Sequence, residues 1–139
     1  MEDKMKISVD PGCYIPERAH EDDAGLDLKS PVDAWVFSGE SVIIDTGVHV
    51  AIPAGHVGFI TSKSGLMAKG ITCRGTIDCG YRGSIKAVLF NHGKEAFRVE
   101  KGRKICQLVL MPIITPELEL VSHLDDTERG ENGFGSTGA

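Results

Sequence analysis

The sequence predicts an all-β fold: a single-domain β-barrel or jelly-roll-like body with a flexible C-terminal arm. Three observations predict it. Seventeen glycines and six prolines divide the 139 residues into short runs. Those runs are rich in Val, Ile, Leu, Phe and Thr and are bounded by turn residues, which is how strands read. About ten of them follow one another closely, and closing such a sheet is how it avoids unpaired edges.

In order, the expected strands are Lys6 to Val9, Trp35 to Phe37, Ser41 to Ile44, Val48 to Ile52, Val57 to Thr61, Ile71 to Thr76, Ser84 to Phe90, Phe97 to Val99, Ile105 to Met111 and Leu118 to Val121. Only Ser64 to Lys69 reads as helix, one or two turns at most. Residues 1–121 form the expected barrel. Residues 122–139 are polar and glycine-rich, with Phe134 as the large apolar side chain near the end, too little to order a segment by burial.

Composition narrows the function. The net charge is −5, which argues against a nucleic-acid groove or an anionic membrane as partner. No apolar run approaches the ~20 residues of a membrane span, and the polar start MEDKMK shows no secretion signal, so a cytoplasmic protein is expected. Four cysteines, Cys13, Cys73, Cys79 and Cys106, lack zinc-site spacing and are expected to be reduced. Five scattered histidines suggest no nucleophilic pair.

Five stretches carry candidate chemistry, and each has a plainer reading. Gly75 to Asn91, GTIDCGYRGSIKAVLFN, reads as a hairpin in which Asp78 and Tyr81 share a tight turn around Gly80 and Gly83. An ordinary hairpin with a solvated Asp looks the same. In EDDAGLDLKSP, Asp22, Asp23 and Asp27 flank a turn that suits a hydrated hard cation, or is simply a solvated acidic loop. Ser62, Lys63, Ser64 and Gly65 make a phosphate cradle or an N-cap, of which a cap does not require Lys63. Gln107, within an apolar strand, is a core hydrogen-bonder or a ligand contact. In the arm, Arg129, Phe134, Ser136 and Thr137 combine a cation, a stacking ring and two hydroxyls. A Walker loop is excluded there, because no lysine precedes the hydroxyls and no helix can follow.

Together, AGLDL at 24–28, SKSGL at 62–66, GTIDCGYRG at 75–83, GRKICQL at 102–108 and RGENGFGSTG at 129–138 resemble, in order, the motifs of the dUTP diphosphatase (dUTPase) family of trimeric β-barrel enzymes. The resemblance implies Mg²⁺-assisted hydrolysis of dUTP to dUMP and pyrophosphate, which keeps dUTP low and supplies dUMP for thymidylate synthesis. Asp78 matches the carboxylate that deprotonates the water attacking the α-phosphorus, and Gln107 a residue of the phosphate and water network. Tyr81 matches the ring against the deoxyribose. Thr72, Thr76 and Ile77 match the uracil-binding backbone, and Lys86 a pocket-lining position. Lys63, Ser64 and Gly65 match the phosphate cradle, and Asp27 the residue that holds the metal through water. Phe134 would stack on uracil while Arg129, Gly135, Ser136 and Thr137 close over the γ-phosphate. Each site would draw on three subunits.

The chain departs from the family pattern at Lys63, where Arg is usual, at Arg103, where an acid is common, and at Cys106, where Ala is usual. Two other readings remain: a dCTP deaminase of the same fold, which would carry Trp at the place of Tyr81 and lack the arm, and a dUTP-sensing regulator. A regulatory protein partner is implied if the chain is of phage origin.

Overall fold

The computed structural model describes residues 4–135. Eleven strands and one short helix make up the described residues: β1 Ile7–Val9, β2 Gly25–Lys29, β3 Ala34–Val36, β4 Ser41–Asp45, β5 Val48–Val50, β6 His56–Ser62, α1 Ser64–Met67, β7 Ile71–Cys73, β8 Gly75–Ile77, β9 Lys86–Asn91, β10 Phe97–Val99 and β11 Lys104–Pro112. The all-β expectation is therefore met. The strands form four antiparallel sheets, ordered β2-β11-β6-β8, β4-β9-β7, β1-β5 and β10-β3.

A single apolar core holds these sheets together. β9 shows why: its residues alternate exposed and buried, so Ala87, Leu89 and Asn91 point inward. Leu89 shares one buried cluster with Leu28, Ile44, Ile71, Ile85, Ile105 and Leu108, each at most 2% exposed. Fully burying one such side chain contributes about 1.5–3 kcal/mol. Asn91 is the buried polar exception, and its amide is satisfied by donating to Val36 O (2.9 Å) and Glu95 O (2.8 Å) and accepting from Gly93 N–H (2.8 Å).

Three expectations need correction. The acidic turn at Asp27 is a strand: GLDLK has no β-branched residue, but β11 supplies a ladder partner for all of it. The run Ile71 to Thr76 is two strands, because the chain leaves one sheet at Arg74 and joins another. Consequently β8 and β9 do not form the expected hairpin; β9 pairs with β4 and β7, and β8 with β6. The expected strand Leu118 to Val121 is absent, since no strand among the described residues pairs with it. Every residue from Met111 to Asn132 is exposed.

Candidate active site

The central strand β6 carries a cluster at one end. Here Gln107 of β11 lies between Asp27 of β2 and Thr61 of β6 in register. Asp27, 3% exposed, accepts from Lys63 Nζ at 2.6 Å on one carboxylate oxygen. Lys104 Nζ lies 3.3 Å from the other. Gln107 Nε2 donates to Ser62 O at 3.3 Å. Gly25 makes room for this: a Cβ there would strike the Gln107 amide oxygen and lie 2.8 Å from its Cδ. Ser64 and Gly65 follow Lys63 at the start of α1, both exposed.

Electrostatics favour an ionised Asp27. Burial pushes its carboxyl up, but hydrogen bonds and charge from Lys63 and Lys104 outweigh burial and hold the pKa below 3.8. Beneath it, contact with Cys73 and burial push the Cys106 thiol up, so it stays protonated. All four cysteines are free. Arg103 points elsewhere, its guanidinium 4.9 Å from the centre of the Phe97 ring.

The other end of β6 carries the Asp78 turn. Ile77 pairs with Gly58, which sends Asp78 toward the Val57 level, away from Ser62 and Lys63. At ~3.3 Å per residue the two ends lie roughly 15–20 Å apart. Tyr81 N–H closes the turn on Asp78 O at 3.1 Å. The Tyr81 hydroxyl folds back to donate to Ser84 O at 2.8 Å. Gly83 permits this fold, because a Cβ there would lie 2.6 Å from the Tyr81 ring. Neither Gly80 nor Gly83 has a positive φ, so close approach, not a left-handed backbone, is what requires Gly83. His49 anchors the turn from outside, with its ring nitrogens 2.7 Å from Arg82 O and 3.0 Å from Asp10. Asp78 itself is exposed.

The remaining candidates lie apart. Thr72 and Lys86 sit on the β4-β9-β7 sheet. Thr72 Oγ1 is 2.9 Å from His92 Nε2, and Lys86 Nζ is 3.4 Å from Ser84 Oγ. Thr76 and Ile77 lie on β8, in the other sheet. Arg129 donates to Asn132 O at 2.8 Å, and Phe134 is fully exposed with Gly135 after it at a φ of 79°. Ser136 and Thr137 lie outside the described residues.

Thus Asp27, Lys63 and Gln107 come together, whereas Asp78 and Tyr81 form a separate group. Lys104 was missed in sequence. In a regular strand it would face away from Gln107, three residues on. A bulge between Lys104 and Cys106 places both Ile105 and Cys106 inward and returns Lys104 to the face of Gln107.

No group of three or more His, Cys, Asp or Glu side chains gathers as a metal cage among the described residues. Asp27 alone, with an ammonium on each oxygen, does not make a resident metal site. It does fit an outer contact, through water, to a hard cation that arrives already bound to a polyphosphate, because such a cation needs only one or two protein oxygens.

Known proteins resemble this chain over nearly its whole length. The dUTPase family profile matches residues 13–138. A deoxyuridine 5'-triphosphate nucleotidohydrolase of Gloeothece citriformis is 42% identical, covering 97% of each chain, and one of Clostridium acetobutylicum is 44% identical, covering 96% of each. Among solved structures, the dUTPase of Staphylococcus bacteriophage 80alpha with dUpNHpp matches with a TM-score of 0.93 at 32% identity, covering 99% of this chain and all of that one. A mutant dUTPase from phage phi11 of S. aureus, whose structure reveals molecular details for the coordination of a structural Mg(II) ion, matches with a TM-score of 0.80 at 29% identity, covering 87% of this chain and 98% of that one.

Proposed function

Since this chain belongs to the dUTPase family and is an enzyme that hydrolyses dUTP, we propose that it does so by attack of water on the α-phosphorus, at sites shared between the chains of a homotrimer. The separation of Asp78 from Lys63 and Gln107 along β6 is the observation that carries this reading. One chain brings no general base to its own phosphate-binding cluster, so a second chain must.

In this mechanism Asp78 takes a proton from water as the water oxygen bonds to the α-phosphorus. The bond from that phosphorus to the bridging oxygen breaks, releasing pyrophosphate and dUMP. Gln107, held over Gly25, orients the water and a phosphoryl oxygen. Lys63, with the backbone of Ser64 and Gly65, meets the phosphates, where negative charge develops. Lys63 does so as a point charge, without the paired hydrogen bonds of an arginine. Bound Mg²⁺ supplies further neutralisation of the phosphate chain, with Asp27 holding its water.

The turn selects the nucleoside. Tyr81, fixed by Ser84 O, packs on the deoxyribose and leaves no room for a 2′-hydroxyl. Thr72, the backbone of Thr76 and Ile77, and Lys86 line the uracil side. The arm from residue 122 closes over a neighbour's site, with Phe134 stacking on the base and Arg129, Gly135, Ser136 and Thr137 on the γ-phosphate.

The trimer has support from the apolar surface this chain leaves uncovered. Ile114, Leu118 and Leu120 are 87%, 97% and 99% exposed. A groove of about 720 Å³, with Met5, Ile7, Leu26 and Leu110 on its walls and Lys4, Arg18 and Glu21 beside them, lies open as well. Large apolar side chains left in solvent suit an interface with a further chain. A cytoplasmic nucleotide pool is the substrate source, and no helix among the described residues is long and apolar enough to cross a membrane.

Assaying pyrophosphate and ammonia with dUTP and dCTP tests the reaction. Pyrophosphate from dUTP is the expected result, and ammonia from dCTP would overturn it in favour of a deaminase.

A further inference from the structure

The Asp27 cluster holds more positive charge than its acids require. Asp27 and Glu17 face Lys29, Lys63 and Lys104: Lys29 Nζ is 3.2 Å from Glu17, Lys104 Nζ is 4.0 Å from Glu17 and 3.3 Å from Asp27, and Lys63 Nζ is 2.6 Å from Asp27. One ammonium is in excess, and a bound anion would balance it. Among the described residues Lys63 pairs with Asp27 alone, whereas Lys104 is shared between both acids.

That arrangement creates a conflict for Lys63. While its short ion pair with a buried carboxylate persists, Lys63 cannot also turn to a phosphate. Releasing it from a lone partner would leave Asp27 buried and uncompensated, which is strongly unfavourable. We propose that Lys104 is a positioning residue that retains the Asp27 carboxylate and so frees Lys63 for the phosphate chain of the nucleotide. This rests on the assignment of the cluster to the phosphates of dUTP.

The backbone supports the division of labour. Lys63 lies past the end of β6, at the turn into α1, with the side chain 28% exposed. Lys104 is held within the β2-β11 ladder opposite Lys29, and the bulge after it aims it at Asp27. A bulge can re-aim a side chain beside a site, and here it gives Asp27 its second ammonium contact.

Calorimetric titration with two probes tests the proposal: dUpNHpp, which carries a triphosphate chain, and deoxyuridine, which has no phosphate. Lys104→Met should weaken dUpNHpp about tenfold, the scale of a partly exposed charge-assisted contact, and leave deoxyuridine unchanged. Lys104→Arg should restore dUpNHpp binding. In a Lys63→Met background, and in an Asp27→Asn background, Lys104→Met should have no further effect, because Lys104 acts only through the other two. Circular dichroism on each variant separates misfolding from loss of binding, and Lys104→Arg against wild type with both probes serves if Lys104→Met does not fold: retained dUpNHpp affinity is then expected. Unchanged dUpNHpp affinity in Lys104→Met, an equal loss for deoxyuridine, failure of Lys104→Arg to bind dUpNHpp, or a loss that persists in either background would overturn it. Wild-type protein that binds neither probe would instead fell the site assignment beneath it.

Discussion

Gly25→Ala should inactivate the enzyme while barely changing its fold. The new Cβ would strike the Gln107 amide oxygen and lie 2.8 Å from Cδ and 3.2 Å from Cβ of Gln107. The backbone at Gly25 has no positive φ, so alanine itself is not strained there. The side chain of Gln107 must therefore give way, and its 3.3 Å hydrogen bond to Ser62 O is lost. A long neutral hydrogen bond of that kind contributes about 1 kcal/mol, or a shift of roughly 3 °C in Tm for a chain of this size. If Gln107 orients the attacking water, misplacing it by an ångström lowers kcat about 100-fold. Pyrophosphate release and thermal unfolding of Gly25→Ala, Gln107→Ala and the double variant measure both quantities. The double variant should be no slower than Gln107→Ala alone. A Gly25→Ala enzyme with wild-type kcat would refute the link between this glycine and Gln107, and a fall of more than about 3 kcal/mol in stability would show that the collision is absorbed by the backbone instead.

Tyr81→Ala should narrow the preference for dUTP over UTP, read from the ratio of kcat/KM values, and an unchanged ratio would count against the ring as the 2′-hydroxyl gate. Removing residues 127–139 should leave oligomer mass by light scattering unchanged but reduce turnover severely; full activity would mean the arm closes nothing. Acid should expose the Asp27 ion pairs. With a folded pKa below 3.8, this carboxylate adds stability above its unfolded pKa, and that stability disappears as pH falls through the folded value. Asp27→Asn should therefore flatten the acid limb of a stability-pH curve, and an unaltered limb would contradict it. His49 has the opposite sign. Its donation to Arg82 O, with Asp10 beside it, holds the imidazole pKa above 6.5, so its contribution is complete below 6.5 and is lost as pH rises through the folded value. An NMR titration placing His49 at or below 6.5 would refute that anchor.

The fold class was legible because strand-forming runs and turn residues alternate along the whole chain. β9 shows it best, where KAVLFN writes the inward and outward faces directly. Register was not legible. Asp27 read as a turn because GLDLK carries neither branched residues nor clean alternation, and only the ladder with β11 makes it a strand. The hairpin through Asp78 failed for a related reason: the chain changes sheets between Cys73 and Gly75, and no local preference records which neighbour β8 will meet. Leu118 to Val121 has strand composition but lacks a partner strand among the described residues. Among site residues, Asp27, Lys63 and Gln107 were visible as motifs: an acid among clustered carboxylates beside Ala24-Gly25, a lysine at a helix start and a glutamine in an apolar strand. Lys104 and Gly25 were not, because one depends on a bulge and the other on a collision avoided across two strands.

The central claim is that Asp78 of one chain serves the Lys63 cluster of another. Mixing tests it directly. Asp78→Asn and Lys63→Met chains, each inactive alone, are unfolded together in equal amounts, refolded, and assayed for pyrophosphate from dUTP. If sites lie between neighbouring chains of a cyclic trimer, each mixed trimer has one site with both residues intact, and random assembly restores about one quarter of wild-type activity. A mixture no more active than either variant alone would place the whole site within one chain and contradict the account.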